Sequence, residues 1–190
     1  MLPPSLGIAL LCGGRSSRFG SNKALALVDD STMIERIVKQ AQKLVPNIIL
    51  VTNTPEEYAF LNLPYLTDSR PYAGPLAALL TAFEKTPYER IILMACDMPG
   101  LNQELIQTLL QQTPKADACV MQDAAGPQYL FASYSRRLLK PLGEFFTQGG
   151  ESFREFFKLH PSCLHLIDSK KNIPNVNTRR DLEEFQCSVI

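Results

Sequence analysis

The sequence predicts a three-layer α/β/α fold built on a mainly parallel, Rossmann-like sheet. Through the first half of the 190-residue chain, continuous apolar runs alternate with segments of helical periodicity, and each run leads into a polar loop. Strands buried on both faces have this continuous apolar character, and their alternation with helices is typical of a parallel sheet. In the second half, two short strands flank the turn DAAG, which indicates an antiparallel addition to the sheet.

The first half of the chain predicts four strands and the helices between them. The first strand covers Leu6 to Leu11 and ends at two glycines. Thr32 and Glu35 form a capping box before a helix that stops at Pro46. The following predicted elements are a strand at 47–52, a short helix opened by TPEEY at 54–58, a brief strand at 65–66, a helix opened by Gly74 and Pro75, and the strand RIILMACD at 90–97.

The second half predicts shorter and less regular elements. They are a helix at Gln103 to Gln112, strands at Ala118 to Gln122 and Gln128 to Ala132, a helix at Ser135 to Phe146, and a strand at Cys163 to Ile167. Thr178 and Asp181 form a second capping box, which begins a last short helix. No change in composition suggests a linker, so we expect one domain over residues 1–190.

Composition and charge exclude several classes of function. Nineteen basic residues balance nineteen acidic ones, so the chain has no global positive field to attract nucleic acid or an anionic membrane surface. No apolar run approaches the roughly 20 residues that cross a bilayer. The five cysteines are odd in number and scattered, with no C-x-x-C pair, which favours a reducing, cytoplasmic compartment.

The loop after the first strand, LCGGRSSRFGSNK at 11–23, has the chemistry of a phosphate-binding loop. Glycines let backbone N–H groups approach phosphate oxygens, and Arg15, Arg18 and Lys23 can neutralise a polyphosphate. The spacing matches neither the P-loop nor the dinucleotide fingerprint. A solvated surface loop is the alternative interpretation, but the position directly after a buried strand favours ligand binding.

Two carboxylates follow other strands at the same predicted edge of the sheet. Asp97 ends the run RIILMACD, where a single carboxylate together with substrate phosphates suffices to hold Mg²⁺. Asp68 lies in the loop TDSRPYAG before a helix N-terminus. Each has a plainer alternative, since Asp97 can cap a helix and Asp68 can be a turn residue.

Together these segments resemble a known family. The loop at 11–23 is similar to the signature of small nucleotidyltransferases. The segments GPLAAL, CDMP, QYLFASY and NVNTRRDLEEF resemble those of the molybdenum cofactor guanylyltransferases of the MobA type. The resemblance runs from Leu6 to Phe185. It implies transfer of GMP from GTP to molybdopterin carrying molybdenum, with Mg²⁺ as cofactor and pyrophosphate as the other product.

The resemblance also assigns residues to roles. Lys23, Asp97 and Arg18 are the expected catalytic residues, and Asp97 is the expected magnesium ligand. The expected nucleotide-binding residues are Leu11, Cys12, Gly13, Gly14, Arg15, Lys23, Asn53, Asp68 and Asp97. The expected acceptor-binding residues are Gln128, Asn175 and Asn177, the two asparagines having turn closure as their alternative role. The resemblance also suggests a further class of partner, the proteins that deliver molybdenum cofactor.

The chain departs from the family pattern at two places near the nucleotide. Cys12 stands where alanine is usual, and Val51 stands where the pattern places an asparagine, with Asn53 two residues on. The alternatives are therefore a related transferase that uses CTP or a sugar-phosphate acceptor, and a non-catalytic nucleotide-binding relative. A thiol redox protein using Cys12 and Cys96 is a third class, which the absence of C-x-x-C disfavours relative to buried structural thiols.

Overall fold

The computed structural model describes residues 5–12, 19–68 and 73–189. Within these ranges the nine strands are β1 Leu6–Leu11, β2 Leu27–Val28, β3 Ser31–Thr32, β4 Ile48–Val51, β5 Tyr65–Leu66, β6 Arg90–Ala95, β7 Ala118–Asp123, β8 Gly126–Ser135 and β9 Leu164–Asp168. The six α-helices are α1 Met33–Gln42, α2 Gly74–Lys85, α3 Gln103–Gln112, α4 Leu139–Thr147, α5 Phe153–Leu159 and α6 Arg179–Val189. None of the helices described is both long and apolar enough to cross a membrane.

Seven of these strands form one sheet in the order β5-β4-β1-β6-β8-β7-β9. The pairs β4-β5, β1-β4, β1-β6 and β7-β9 are parallel, whereas β8 is antiparallel to both β6 and β7. The predicted mainly parallel sheet with an antiparallel addition is confirmed. Because β8 is reversed, its amino end lies at the same edge as the carboxyl ends of the other six strands.

Helices cover both faces of the sheet. Alternate residues of β1 show this division, because Ile8 and Leu10 pack in one core cluster and Ala9 packs in the other. The first cluster includes residues of α1 and α3, and the second includes residues of α2, α4 and α5. The three-layer α/β/α architecture follows from these two apolar interfaces.

Residues 169–178 connect β9 to α6 at the edge where the parallel strands end. Val176 is 1% exposed and packs with Phe19, Val28, Met33 and Phe185, which joins this connection to the β2-β3 hairpin and to α6. The Thr178 hydroxyl accepts from the Asp181 amide at 3.1 Å, while the Asp181 carboxylate accepts from the Thr178 amide at 2.8 Å. The predicted capping box at the start of α6 is therefore confirmed.

Most predicted elements occur with bounds that differ by one to three residues. The predicted helix Gln103 to Gln112 has the observed bounds of α3. The predicted strand Gln128 to Ala132 is longer, as β8, and the predicted helix Ser135 to Phe146 begins as a 3-10 turn at 136–138 before α4. The strand predicted to end at Asp97 ends at Ala95, since Cys96 and Asp97 form a turn. The β2-β3 hairpin and α5 were not predicted.

The capping box that begins α1 yields a stability prediction. The Thr32 hydroxyl accepts from the Glu35 amide at 3.3 Å, and the Glu35 carboxylate accepts from the Thr32 amide at 2.8 Å. We expect Thr32→Ala to lower the free energy of unfolding by about 1 kcal/mol at pH 7, measured by urea denaturation. The matched variant Thr108→Ala removes a hydroxyl bonded to the Glu104 carbonyl within α3 and should cost less.

The cost of Thr32→Ala should also depend on pH. Hydrogen bonds from the Thr32 side chain and backbone hold the pKa of Glu35 below its ordinary value. A lowered pKa in the folded state stabilises the fold above the unfolded value of about 4.3, and this stabilisation is lost as the pH falls through the folded value. The difference between wild type and Thr32→Ala should therefore shrink on acidification, and a difference that grew would contradict this assignment.

Candidate functional site

The candidate site lies at the edge where β1, β4, β5, β6, β7 and β9 end. Ligands of open α/β sheets bind outside the carboxyl ends of the strands. Of the predicted site residues, Lys23 follows β1 and Asp97 follows β6, the strand hydrogen-bonded next to it. Gln128 reaches the same edge because it lies near the amino end of the reversed strand β8.

Lys23 and Asp97 form an ion pair at the centre of this edge. Lys23 Nζ lies 2.6 Å from Asp97 Oδ2, and the two side chains are 19% and 16% exposed. Lys23 Nζ also donates to Asn177 Oδ1 at 3.1 Å. Asp97 and Asn177, which lie 74 and 154 positions from Lys23 in the chain, thus contact the same ammonium group.

The other oxygen of Asp97 is not used by the ion pair with Lys23. Asp97 Oδ1 is buried and has no hydrogen-bond partner among the described residues. A buried carboxylate oxygen without a donor is costly, so this atom fits coordination to a hard divalent cation. No group of three or more histidine, cysteine, aspartate or glutamate side chains in the described chain has the arrangement of a metal site. The donor set therefore fits Mg²⁺ held by one carboxylate and completed by substrate oxygens.

Asn22 fixes the backbone that carries Lys23. Its Oδ1 accepts from the Ala24 amide at 3.1 Å and so caps the 3-10 turn Lys23–Leu25. Its Nδ2 donates to the Tyr58 hydroxyl at 2.9 Å and to Glu57 Oε2. Tyr58 is 2% exposed, and burial raises the pKa of its phenol, which keeps the ring neutral. The lysine is thus anchored to the segment that follows β4.

The connection from β9 to α6 contacts both residues of the Lys23–Asp97 ion pair. The Val176 amide donates to the Asp97 backbone carbonyl at 2.8 Å, which places Asn177 beside Lys23. Asn175 Nδ2 donates to Gln128 Oε1 at 3.3 Å, so two of the predicted acceptor-binding residues touch each other. Asn175 Oδ1 is buried and has no hydrogen-bond partner among the described residues, and its contact with the acceptor remains a prediction.

Three other predicted nucleotide-binding residues lie along the same edge. Asp68 follows β5 and its Oδ1 accepts from the Thr81 hydroxyl on α2 at 3.0 Å. Asn53 is exposed two residues after β4, and Leu11 is the half-buried last residue of β1. The structure brings them to the carboxyl ends of three neighbouring strands, where contact with a nucleotide remains a prediction.

Cys12 and Cys96 extend the sheet by one residue beyond the register pair Leu11 and Ala95. The Cys12 amide donates to the Val51 carbonyl at 3.0 Å, and the Cys96 amide donates to the Leu11 carbonyl at 3.2 Å. Both side chains are buried, at 0% and 4% exposed. Burial, with a further contribution from Cys96, raises the pKa of the Cys12 thiol well above its ordinary value, which disfavours a reactive thiolate. Contact of Cys12 with a nucleotide remains a prediction.

Four predicted residues, Gly13, Gly14, Arg15 and Arg18, lie outside the described residues. Two residues with a clear place in the site were not predicted individually. Asn22 lies within the predicted phosphate loop, and the preference of asparagine for N-cap positions could have indicated its role. Asp123 belongs to the turn between β7 and β8, and its contacts with residue 173 had no signal in the sequence.

Comparison with known proteins agrees with this geometry. The family described as the MobA-like NTP transferase domain matches residues 8–163. The chain is 37% identical to a probable molybdenum cofactor guanylyltransferase of Carboxydothermus hydrogenoformans, over 95% of each chain. It is 32% identical to a protein of the same description from a Nostoc species, over 96% of this chain and 91% of the relative.

Solved structures support the fold. Molybdopterin-guanine dinucleotide biosynthesis protein A from Archaeoglobus fulgidus superposes with a TM-score of 0.79 at 20% identity, over 97% of this chain and 100% of that one. At this identity the likeness concerns the fold alone. The sequence matches go further, and with the site geometry they show that this chain is a nucleotidyltransferase that belongs to the MobA-like NTP transferase family.

Proposed function

We propose that this chain transfers GMP from GTP to molybdopterin carrying molybdenum, in a Mg²⁺-dependent reaction that releases pyrophosphate. The observation that carries the proposal is the Lys23–Asp97 pair at 2.6 Å, at the carboxyl ends of adjacent strands, with the second oxygen of Asp97 lacking a hydrogen-bond partner among the described residues. Relatives named as molybdenum cofactor guanylyltransferases support the choice of base and acceptor.

The proposed reaction is one displacement at the α-phosphorus of GTP. A terminal phosphate oxygen of the acceptor forms a new bond to that phosphorus as the bond to the bridging oxygen of the β-phosphate breaks, and pyrophosphate leaves with the electron pair. The acceptor phosphate has a second pKa of about 6, so it is already ionised at neutral pH and needs no general base. Positioning and neutralisation of charge are then the main tasks of the protein.

The residues of the chain divide these tasks. Lys23 is proposed to neutralise phosphate oxygens with its ammonium group, and the Asn22 cap keeps its backbone in place. Asp97 would hold Mg²⁺, which when bound neutralises charge on the triphosphate and the leaving pyrophosphate. Asn175 and Gln128, which touch each other beside this centre, are proposed to contact the acceptor.

The test is pyrophosphate release with Mg²⁺ and molybdopterin, measured separately with GTP, CTP, ATP and UTP. We expect release with GTP that requires the acceptor, so a reaction without molybdopterin is the control. Preference for CTP would assign the chain to the related transferase with a different base. Release with none of the four triphosphates would contradict the proposed acceptor and reopen the sugar-phosphate and non-catalytic alternatives.

A further inference from the structure

The segment that closes the site has little structure of its own. We call residues 173–178 the strap; they lie outside the helices and strands and run from the connection after β9 to the start of α6. Ile173 and Val176 are buried, at 2% and 1% exposed, and anchor the strap to the core. The position of Asn177 over Lys23 must therefore be set by contacts between the strap and other elements.

One of these contacts comes from Asp123 at the carboxyl end of β7. Its Oδ2 accepts from the Ile173 amide at 2.9 Å, and its Oδ1 accepts from the Ala125 amide at 2.9 Å and from Gln128 Nε2 at 3.1 Å. Residue 123 is 50 positions from residue 173, so the carboxylate ties the turn between β7 and β8 to the start of the strap. The same carboxylate orients Gln128, which holds Asn175 in the middle of the strap.

The far end of the strap meets the catalytic pair. The Val176 amide bonds the carbonyl of Asp97, and Asn177 Oδ1 accepts from Lys23. Asn177 is only four positions beyond Ile173, a reach of at most about 13 Å. A short segment thus connects the contacts of Asp123 to those of Lys23 and Asp97.

We infer that Asp123 is a positioning residue for nucleotidyl transfer, which holds the strap so that Asn177 and the backbone of Val176 meet Lys23 and Asp97. The inference rests on the proposed function for its reaction, but the strap geometry is independent of the base and the acceptor. Among the described residues, Asp123 makes no hydrogen bond or ion pair with Lys23 or with the side chain of Asp97. Its effect on them would pass through the strap.

The hydrogen bonds at residue 123 require two acceptor oxygens, which a carboxylate provides. Three N–H donors converge on two oxygens, and an ionised carboxylate is an acceptor only. Burial alone would raise the pKa of Asp123, but the hydrogen bonds from Ile173, Gln128 and the turn outweigh it and leave the pKa below its ordinary value. An asparagine would turn an N–H₂ group toward one of these donors, so it should release either the strap or Gln128.

Gly100 provides an independent way to move the strap. A methyl group added at this position would lie 3.1 Å from Pro174 Cγ and 3.4 Å from Phe185 Cε2. Pro174 is exposed, so the strap can yield outward by a few tenths of an ångström. Gly100→Ala therefore disturbs the strap without changing any charge or any residue of the proposed catalytic centre.

The experiment compares Asp123→Asn with wild type by amide hydrogen exchange and by kinetics. We expect the Ile173 and Val176 amides to exchange at least about tenfold faster in the variant. We expect kcat/KM for pyrophosphate release to fall by about 10- to 100-fold, the usual effect of losing a group that orients a site residue. Gly100→Ala should change both quantities in the same direction by less.

The control is Asp168→Asn, another carboxylate at this edge, whose Oδ1 accepts from the Lys170 amide at 3.0 Å without contacting the strap. It should leave exchange of the strap amides and kcat/KM unchanged. A thermal melt of each variant checks that the fold is intact, and Gly100→Ala keeps the inference testable if Asp123→Asn does not fold.

A double-mutant cycle separates positioning from general stability. If Asp123 acts through the strap, Asp123→Asn should cost less than about threefold in kcat/KM when Asn177→Ala is already present. Fully additive losses, or unchanged exchange at Ile173 and Val176, would overturn the inference. If wild type releases no pyrophosphate with any triphosphate, the proposed function fails, whereas the exchange measurement still decides whether Asp123 holds the strap.

Discussion

Replacement of Asp97 by asparagine is expected to lower kcat/KM of nucleotidyl transfer by about 10²- to 10³-fold. The amide keeps the shape of the side chain, and the backbone carbonyl of residue 97 can still accept from Val176 at 2.8 Å, so the strap should stay in place. What is lost is the negative charge 2.6 Å from Lys23 Nζ and one of two carboxylate oxygens, of which Oδ1 has no hydrogen-bond partner among the described residues and fits a divalent cation. Mn²⁺ binding to the nucleotide-free protein, measured by calorimetry, should weaken along with turnover.

The comparison variant is Lys23→Met, which should also lose transfer but with the opposite effect on the metal. Without nucleotide, the Lys23 ammonium occupies one oxygen of Asp97, so its removal should strengthen Mn²⁺ binding. Glu104→Gln is the matched control, because it neutralises the carboxylate of an exposed ion pair with Lys171 at 2.7 Å. That change should affect neither quantity. Unchanged metal affinity in Asp97→Asn would contradict the metal-binding role.

The pattern of strands was sufficient to predict which edge of the sheet carries the site. Lys23 and Asp97 lie 74 residues apart, yet both come after continuous apolar runs, and parallel strands must end at one edge. That reasoning brought the two residues together without any knowledge of distances. The 2.6 Å contact itself depends on the turn after β6 and on the Asn22 cap, which are details that no periodicity reports.

The hydrogen bonds of the Asp123 carboxylate show what sequence patterns do not contain. An aspartate followed by Ala-Ala-Gly reads as a turn residue, and its Oδ1 does accept from the Ala125 amide inside that turn. Its second oxygen binds the Ile173 amide, 50 residues away, in a segment without periodicity. The partner is fixed by the reversal of β8 and by burial of Ile173, both of which are properties of the assembled fold.

The helix α5 was missed for a different reason. It has seven residues between a Gly-Gly pair and Pro161, which is too short for a 3.6-residue period to stand out. Phe156 and Phe157 are buried, at 0% and 4% exposed. Packing of the Phe157 ring against Tyr129 and Tyr134, at centroid distances of 5.9 and 6.4 Å, stabilises a helix that would not form alone.

Replacement of Arg136 by methionine is expected to lower the free energy of unfolding by about 2–4 kcal/mol. Its guanidinium donates to three backbone carbonyls, those of Tyr88 at 2.8 Å, Phe83 at 2.9 Å and Thr86. Two of these carbonyls belong to the last turn and C-cap of α2, where a cation also complements the helix dipole. Methionine keeps most of the apolar length of the side chain, so the loss should come from the carbonyls left without a charged donor.

Arg137→Met is the control, because its neighbouring guanidinium is 84% exposed and 3.9 Å from Asp117. It should change stability by no more than about 0.5 kcal/mol in urea denaturation at pH 7. A loss below about 1 kcal/mol in Arg136→Met would show that water replaces the guanidinium at these carbonyls. Arg136 lies at the opposite edge of the sheet from Asp97, because Ser135, the residue before it, pairs with Arg90 at the start of β6. The Arg136 variant should therefore lose stability while its folded fraction keeps wild-type kcat/KM, whereas Asp97→Asn should lose turnover with its fold intact.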